Sequence, residues 1–254
     1  MELQEKTVAI TGSGRGLGAA TALRLAGQGC SIALIDLDQK ALNETRSLCE
    51  AEGAAKVRTY AASVASEPDV EKLFVDIGKD FGALHALINN AGITRDALTL
   101  KYSNGELVSK MSLDQWQTVL DVNLTGVFLC GREAAAKMIE LECPGCIVNI
   151  SSISRHGNIG QLNYSASKAG VEAMSVVWAK EFARHRIRSA SIAPGFIGTD
   201  MVMAMKTEAR EKLTSGIPAG RVGVPDEIAA TVQFILENDY VNGRCFEIDG
   251  AMRL

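Results

Sequence analysis

A tyrosine and a lysine four residues apart carry the clearest potential for chemistry in this chain. Tyr164 and Lys168 lie in the stretch 163–185, whose pattern predicts a long helix, so both side chains share one helical face. A free tyrosine has a pKa of about 10 and is a poor base at neutral pH, but a neighbouring ammonium favours the phenolate. The pair could therefore exchange a proton with a substrate oxygen. Taken alone, the same pattern also fits an amphipathic helix with an incidental tyrosine and lysine.

Two serines stand where a predicted strand meets the loop before this helix. The apolar run 147–150 predicts a buried strand, and Ser151 and Ser152 follow it directly. A serine hydroxyl at the end of that strand could polarise the oxygen on which the tyrosine acts. This chemistry requires the strand to end beside the start of the helix, so it depends on the wider fold.

A glycine-rich turn near the start of the chain indicates a phosphate-binding loop. After the strand predicted over 7–10, the pattern T-G-x-x-x-G-x-G runs from Thr11 to Gly18 and leads into an alanine-rich helical segment. Such glycines admit positive φ values and the close approach of a ligand, and a helix start offers free N–H groups to a pyrophosphate. The strand predicted over 31–35 ends on Asp36, an acid placed to accept hydrogen bonds from an adenosine ribose. Together these features predict a dinucleotide site.

Apolar strands alternate with amphipathic helices along the whole chain, which predicts an α/β fold. Further strands are expected at 57–60, 84–88, 187–193 and 244–248, and continuous apolar runs are typical of a parallel sheet covered on both faces. We therefore expect a Rossmann-like, doubly wound parallel sheet of about seven strands, with helices on both faces, in a single domain over 1–254. Ligands bind beyond the carboxyl ends of such strands. That edge should gather Gly12, Asp36, Asn90, the two serines and Pro194-Gly195.

Composition and charge disfavour several classes of protein. The 254 residues carry a formal net charge of −4 and no basic tract, so nothing indicates a nucleic-acid partner. No apolar run is long enough to span a membrane, and the N-terminus lacks the pattern of a signal peptide. The six cysteines are scattered, as suits reduced thiols, and the three histidines have no metal-ligand spacing. We expect a cytoplasmic protein with no membrane partner and no metal site.

Six motifs occur in a fixed order along the chain. They are the glycine turn from Thr11, Asn89-Asn90-Ala91-Gly92, Asn123 in Asp-Val-Asn-Leu-Thr-Gly, Ser151-Ser152, Tyr164-x-x-x-Lys168, and Pro194-Gly195-Phe196-Ile197-Gly198-Thr199. Each motif alone is weak, but the ordered set is specific. In this order they resemble the short-chain dehydrogenase/reductases, and within that family the 3-oxoacyl-(acyl-carrier-protein) reductase branch, over essentially the whole chain.

The resemblance implies a role for each of these residues. Tyr164 is expected to act as the acid/base, Lys168 to hold the nicotinamide ribose and tune Tyr164, and Asn123 to support a proton-relay water. A serine orients the substrate carbonyl, the loop at Asn90 packs along the cofactor, and residues 197–199 meet its carboxamide end. Besides Tyr164 and Lys168, the expected cofactor-binding residues are Gly12, Arg15, Gly16, Leu17, Gly18, Asp36, Leu37, Ser63, Val64, Asn90, Ala91, Gly92, Pro194, Gly195, Ile197 and Thr199.

Three features depart from the family pattern. The family's usual spacing between serine and tyrosine, counted back from Tyr164, points to Ser151 as the orienting serine, whereas alignment on the strand end points to Ser152. We favour Ser152, because the position of a strand end is harder to shift than that of a loop. Ser63 stands where the family commonly has an aspartate near the adenine. The stretch around 102–110 looks longer than usual, within a polar segment expected to form a loop over 94–113. It either shapes the substrate mouth or, as we favour, is a surface insertion.

The sequence contains two conflicting signals for the cofactor. Asp36 would repel the 2′-phosphate of NADP, whereas Arg15 could attract it. Because an acid at the strand end is the more direct contact, we predict NAD (NADH) and regard NADP as disfavoured.

The branch that the chain resembles predicts reduction of a 3-oxoacyl thioester, or the reverse oxidation, with acyl-carrier protein and coenzyme A both open as carriers. The alternatives are a dehydrogenase of another secondary alcohol, such as a sugar or steroid, and a non-catalytic dinucleotide-binding sensor, although binding alone needs no Tyr164. A segment at about 196–224 should cover the substrate.

The helices expected over 114–141 and 163–185 carry more apolar side chains than one sheet face needs. The family pairs these helices between subunits, so we predict a homotetramer.

Overall fold

Nine strands and seven helices make up the described part of the chain. The computed structural model describes residues 1–199 and 214–254. The strands are β1 (Thr7–Thr11), β2 (Ser31–Asp36), β3 (Lys56–Ala61), β4 (Ala86–Asn89), β5 (Leu100–Ser103), β6 (Glu106–Lys110), β7 (Gly145–Ile150), β8 (Ile187–Pro194) and β9 (Cys245–Ile248). The helices are α1 (Gly16–Ala26), α2 (Gln39–Glu52), α3 (Glu67–Phe81), α4 (Leu113–Leu120), α5 (Gly126–Glu140), α6 (Leu162–Glu181) and α7 (Pro225–Glu237).

The main sheet has seven parallel strands in the order β3-β2-β1-β4-β7-β8-β9. The chain builds outward from β1 to β3, crosses back to β4, and then builds outward to β9. The strand order therefore reverses between β1 and β4, which is where an open α/β sheet forms its ligand crevice. The predicted Rossmann-like fold, with about seven strands, is confirmed.

Helices cover both faces of this sheet, as predicted. The side chains of each strand alternate, so Val8 and Ile10 face one apolar layer and Ala9 faces the other. The first layer packs the sheet against α1, α2 and α7, and the second packs it against α3, α5 and α6. Strands that are buried on both faces must be apolar throughout, which explains why they read as continuous hydrophobic runs.

The long helix expected over 114–141 is present but interrupted. It begins at Ser112, whose hydroxyl caps the backbone N–H of Gln115 while the Gln115 side chain accepts from the N–H of Ser112. Asp121–Thr125 then form one π-helical turn between α4 and α5. Single π-turns of this kind are frequent at functional sites, and this one carries Asn123.

The prediction of a loop over 94–113 is wrong for the central part of that segment, which forms an antiparallel hairpin. Strands β5 and β6 pair through a turn at Asn104-Gly105, where both residues have positive φ values of 52° and 82°. Asn-Gly is the pair most suited to such a turn, so the sequence did contain a hairpin signal. All nine strand residues are exposed.

The segment expected to cover the substrate, about 196–224, falls partly outside the described residues, because 200–213 are not described. Its described ends meet: Ile197 forms a parallel bridge with Gly223, and the N–H of Gly198 donates to the carbonyl of Gly223 at 2.8 Å. Within the described residues, no helix is both long enough and apolar enough to cross a membrane.

Gly131→Ala should destabilise the protein, because the added β-carbon would overlap the ring of Trp178 between α5 and α6. Overpacking of this kind typically costs about 1–3 kcal/mol. Gly27→Ala is the control, since its φ is −62° and its nearest contact would be 3.5 Å away. Urea unfolding should give a lower midpoint for Gly131→Ala alone, and equal midpoints for the two variants would contradict this packing.

Candidate active site

The glycine turn after β1 leaves no room for side chains on its inner surface. Gly12 has a φ of +63°, and a β-carbon there would lie 2.9 Å from the Cα of Ala91. A β-carbon on Gly18 would overlap the carbonyl of Gly12. The turn therefore depends on glycine for its backbone conformation at Gly12 and for close packing at Gly18.

Two polar side chains tie this turn to the end of β4. The hydroxyl of Thr11 accepts the backbone N–H groups of Asn90 and Ala91, each at 3.0 Å. In return, the Asn90 amide donates to the carbonyls of Thr11 and Gly12, each at 3.0 Å. The turn and the Asn90 loop are thus held together across the point where the strand order reverses.

Asp36 has a structural contact in addition to the ligand contact expected of it. Its carboxylate accepts the backbone N–H of Gly14 at 3.0 Å, and those of Leu37 and Asp38 at 2.7 and 3.2 Å. The hydroxyl of Ser13 accepts the N–H of Ile35 at 2.8 Å in the same place. The acid therefore anchors the glycine turn while it also faces the groove beside it.

Two adjoining cavities of about 440 and 320 Å³ form one groove along this edge of the sheet. They share Leu17, Asn90, Gly92 and Ile93 in their walls. Gly16 and Gly18 are not wall residues; Gly18 is buried behind the turn. The first cavity contains the expected residues Gly12, Arg15, Leu17, Asp36, Leu37, Ser63, Val64, Asn90, Ala91 and Gly92. The second contains Ser152, Tyr164, Lys168, Pro194, Gly195, Ile197 and Thr199.

Tyr164, Ser152 and Lys168 meet in the second cavity. Ser152 and Tyr164 both line this cavity, and their side chains are close enough to interact. The ammonium of Lys168 is buried, donates to the carbonyl of Ile150 at 2.7 Å, and lies 5.6 Å from the centre of the Tyr164 ring. One of its three N–H donors is therefore used by the end of β7, and no other described residue accepts from the remaining two, which suit a ligand in the groove.

Burial has a strong effect on both titratable groups of this cluster. It raises the pKa of the Tyr164 phenol, while the interaction with Ser152 acts in the opposite direction. It lowers the pKa of Lys168 to about 8. The sequence predicted that the ammonium would lower the tyrosine pKa. In the folded chain the desolvation of the phenol is the larger effect on that pKa.

The two adjacent serines have different surroundings. The hydroxyl of Ser151 is buried and donates to the backbone carbonyl of Lys168 at 2.9 Å, so it joins β7 to α6. Ser152 is half-buried in the cavity wall, where its hydroxyl also accepts the N–H of Ser154 at 3.1 Å. This geometry favours Ser152 as the serine that faces a bound carbonyl.

Asn123 lies behind the groove and does not line it. Its side chain accepts the N–H of Ile93 at 2.8 Å and donates to the carbonyl of Ile93 at 2.9 Å. A third contact joins it to Ser167 at 3.5 Å, and Ser167 in turn donates to the carbonyl of Tyr164. Asn123 thereby links the Asn90 loop to the helix that carries the tyrosine.

Two supporting residues were missed by the sequence reasoning. Asn163 donates to the carbonyls of Arg95 and Gln115 and accepts the N–H of Tyr164, so it anchors the start of α6. A buried asparagine at a helix start could have been suspected from its position beside Tyr164. Arg155 is almost fully buried, contacts the carbonyl of Ser152 at 3.3 Å, and pairs with two acids on α6 and β9. Those acids are distant in sequence, so no local pattern indicates this network.

The groove has the features that a nicotinamide dinucleotide requires. A glycine-rich turn and a helix start face the first cavity, a carboxylate stands at the end of β2, and a buried ammonium stands in the second cavity. Among the residues that the structure describes, no group of three or more His, Cys, Asp or Glu side chains is arranged to hold a metal ion.

Comparisons with known proteins agree with this geometry. The family described as Enoyl-(Acyl carrier protein) reductase matches residues 12–252. The chain is 39% identical to the 3-oxoacyl-(acyl-carrier-protein) reductase of Thermotoga maritima, over 99% of both chains. It is 36% identical to the (3R)-3-hydroxyacyl-CoA dehydrogenase of Canis lupus familiaris, over 99% of this chain and 98% of that one. A Synechocystis 3-oxoacyl-(acyl-carrier-protein) reductase is 37% identical over 98% of both chains.

Lys168→Met should leave the protein at least as stable as the wild type at pH 7, because the folded wild type bears the cost of a buried charge. A shift in pKa from 10.5 to about 8 corresponds to about 3 kcal/mol. Between these values the unfolded lysine binds more protons than the folded one, so wild-type stability should rise with pH. Urea unfolding at pH 7 and pH 10 measures this; a variant that is much weaker at pH 7 would contradict it.

Proposed function

The chain belongs to the short-chain dehydrogenase/reductase family, and we propose that it reduces a 3-oxoacyl thioester to the 3-hydroxyacyl form, or catalyses the reverse oxidation. It is an oxidoreductase that uses a nicotinamide dinucleotide. The observation that carries the proposal is the meeting of Ser152, Tyr164 and Lys168 in one cavity of the dinucleotide groove. The relatives named above, which act on 3-oxoacyl or 3-hydroxyacyl groups, support the substrate class.

In this mechanism Tyr164 transfers the proton. Its phenol donates to the substrate carbonyl oxygen during reduction, and the Ser152 hydroxyl donates a hydrogen bond to the same oxygen as negative charge develops there. A reduced dinucleotide held in the groove would supply the hydride for the carbonyl carbon. The pKa of the phenol is raised by burial, so the tyrosine begins the reductive step protonated.

Lys168 prepares the tyrosine for this step. Its ammonium is fixed by Ile150 and lies beside the ring, so it stabilises the phenolate that forms when Tyr164 gives up its proton. Its remaining donors suit a ribose hydroxyl pair. Asn123 acts as a positioning residue through Ile93, and its support of a relay water stays a prediction.

NAD(H) is the proposed cofactor. Asp36 faces the groove at the end of β2 and would lie close to an adenosine ribose, where its charge disfavours a 2′-phosphate. Arg15 is exposed and lines the same cavity, where its positive charge would instead favour a 2′-phosphate. The carrier of the acyl group remains open between acyl-carrier protein and coenzyme A, because relatives of both kinds are similar to this chain.

A homotetramer is the proposed assembly. Phe128 on α5 and Val177 on α6 are exposed apolar side chains on the two helices expected to pair between subunits. Val119 and Trp178, two further apolar residues of the expected helices, are buried within the chain and belong to its core. The support therefore comes from fewer residues than the sequence suggested.

Purified wild-type protein should oxidise NADH in the presence of acetoacetyl-CoA. Tyr164→Phe should lose at least about 100-fold in kcat and keep its affinity for NADH, because only the proton donor is removed. Ser152→Ala should lose kcat by a similar factor, since it removes a hydrogen bond to the developing oxyanion. Ser151→Ala is the matched control, whose main effect should be a lower melting temperature from the lost contact with Lys168.

These variants also separate the alternatives. Turnover of a simple secondary alcohol or ketone, without turnover of any 3-oxoacyl thioester, would favour a sugar or steroid dehydrogenase instead. A protein that binds NADH tightly but turns over nothing, with Tyr164→Phe unchanged in binding, would favour a sensor.

Asp36→Asn should shift cofactor preference toward NADPH by at least about tenfold in relative kcat/KM, because the charge is lost while an acceptor for Gly14 remains. Asp38→Asn is the control: Asp38 lines the same groove and caps α2, a role that asparagine also fills. Equal shifts in both variants, or better efficiency of the wild type with NADPH, would contradict the assignment to Asp36.

A further inference from the structure

One face of the hairpin β5–β6 is mainly apolar and is exposed. Leu100 pairs with Lys110 and Tyr102 with Leu107, and a register shift lies between these pairs. Paired residues share a face, and residues two apart along a strand do too, so Lys110 at the base of the hairpin lies on one face together with four apolar residues, Leu100, Tyr102, Leu107 and Val108. Their exposed fractions are 55%, 61%, 48% and 55%. The opposite face is polar and consists of Lys101, Ser103, Glu106 and Ser109.

The base of the hairpin is attached to the rim of the catalytic cavity. Ala97, three residues before β5, forms a parallel bridge with Gln161, and its N–H donates to the carbonyl of Gly160 at 2.8 Å. The Gln161 side chain also donates to Asp96 at 3.0 Å. Gln161 itself lines the cavity that holds Tyr164. The hairpin therefore projects from the mouth of the active site.

Exposed apolar side chains occur at the cavity rim as well as on the hairpin. Leu98 and Leu162 directly follow the two bridged residues Ala97 and Gln161, and both are exposed. Ile159, in the same rim loop, is 91% exposed. Single exposed apolar residues are ordinary, but a group of them at a cavity rim and on the hairpin that is bonded to that rim indicates a binding surface.

We propose that this group of side chains binds the acyl chain of a medium- or long-chain substrate. The inference rests on the proposed function, because it assigns the chain-length preference of the same site. A chain whose thioester end is held at Ser152 and Tyr164 must leave the cavity past its rim, where Gln161 and the hairpin base stand. There it meets apolar side chains, and burying one methylene completely is worth about 0.8 kcal/mol, or about fourfold in affinity.

An acyl chain also accounts for the form of the hairpin. An isolated two-stranded hairpin is at best marginally stable in water, and apolar contact on one face would stabilise it. A second copy of the chain could also cover this face, but that would not require the hairpin base to be bonded to the rim of the catalytic cavity. The attachment at that rim therefore favours the substrate as the occupant.

The test compares the binding of butanoyl-CoA and dodecanoyl-CoA, which lack a 3-oxo group and cannot be reduced. Calorimetry in the presence of NADH should give the wild type at least tenfold tighter binding of dodecanoyl-CoA. The double variant Leu107→Ser/Val108→Ser should lose at least fivefold on dodecanoyl-CoA, with butanoyl-CoA binding and acetoacetyl-CoA turnover unchanged. The matched control is Lys101→Ser/Glu106→Ser, which alters the polar face at constant net charge and should bind like the wild type.

The outcomes separate the two proposals. Turnover of acetoacetyl-CoA without any chain-length dependence of binding would overturn the hairpin inference and leave the proposed function standing. Neither turnover nor binding of either acyl-CoA would overturn both. A variant whose mass by light scattering changes while its affinity for dodecanoyl-CoA does not would assign the face to a second copy, and this too would overturn the inference.

Discussion

The buried ammonium of Lys168 is the constraint on which the catalytic end of the structure depends. It donates to the carbonyl of Ile150, while the hydroxyl of Ser151 donates to the carbonyl of Lys168, so β7 and α6 are joined by reciprocal hydrogen bonds. A charge held away from water is costly, and here it lowers the lysine pKa to about 8. This loss of stability occurs where a fixed cation stands beside the tyrosine that must transfer a proton.

At the other end of the groove, the same side chains stabilise the fold and face the ligand site. Asp36 anchors the glycine turn through Gly14, and Thr11 and Asn90 exchange hydrogen bonds across the gap between β1 and β4. The turn, the acid and the Asn90 loop therefore form one connected unit. A change in any of them alters the shape of the groove as well as its chemistry, which is why conservative variants such as aspartate to asparagine are informative here.

The hairpin extends this site without altering the sheet that carries it. It is inserted between β4 and α4. Its base is hydrogen-bonded to the rim loop before α6, and the chain that leaves it continues directly into the capped start of α4. Loops at the carboxyl ends of parallel strands are where such folds vary their specificity, because the sheet beneath them is unaffected. In the proposed view, the proton-transfer residues come from the sheet and α6, whereas chain-length preference comes from this inserted element.

The amino-acid sequence alone specifies the alternation of strands and helices, the glycine turn, the acid at the end of β2 and the Tyr164–Lys168 pair. Each of these follows from a local hydrophobic period or from a fixed spacing between residues. Most expected groove residues do line the groove for the same reason. Other features depend on contacts between residues distant in sequence and are seen only in the folded chain. These are the ion pairs of Arg155, the different surroundings of Ser151 and Ser152, and the direction in which the pKa of Tyr164 is shifted. Burial and hydrogen-bond partners set these properties, and both arise only when distant segments pack together.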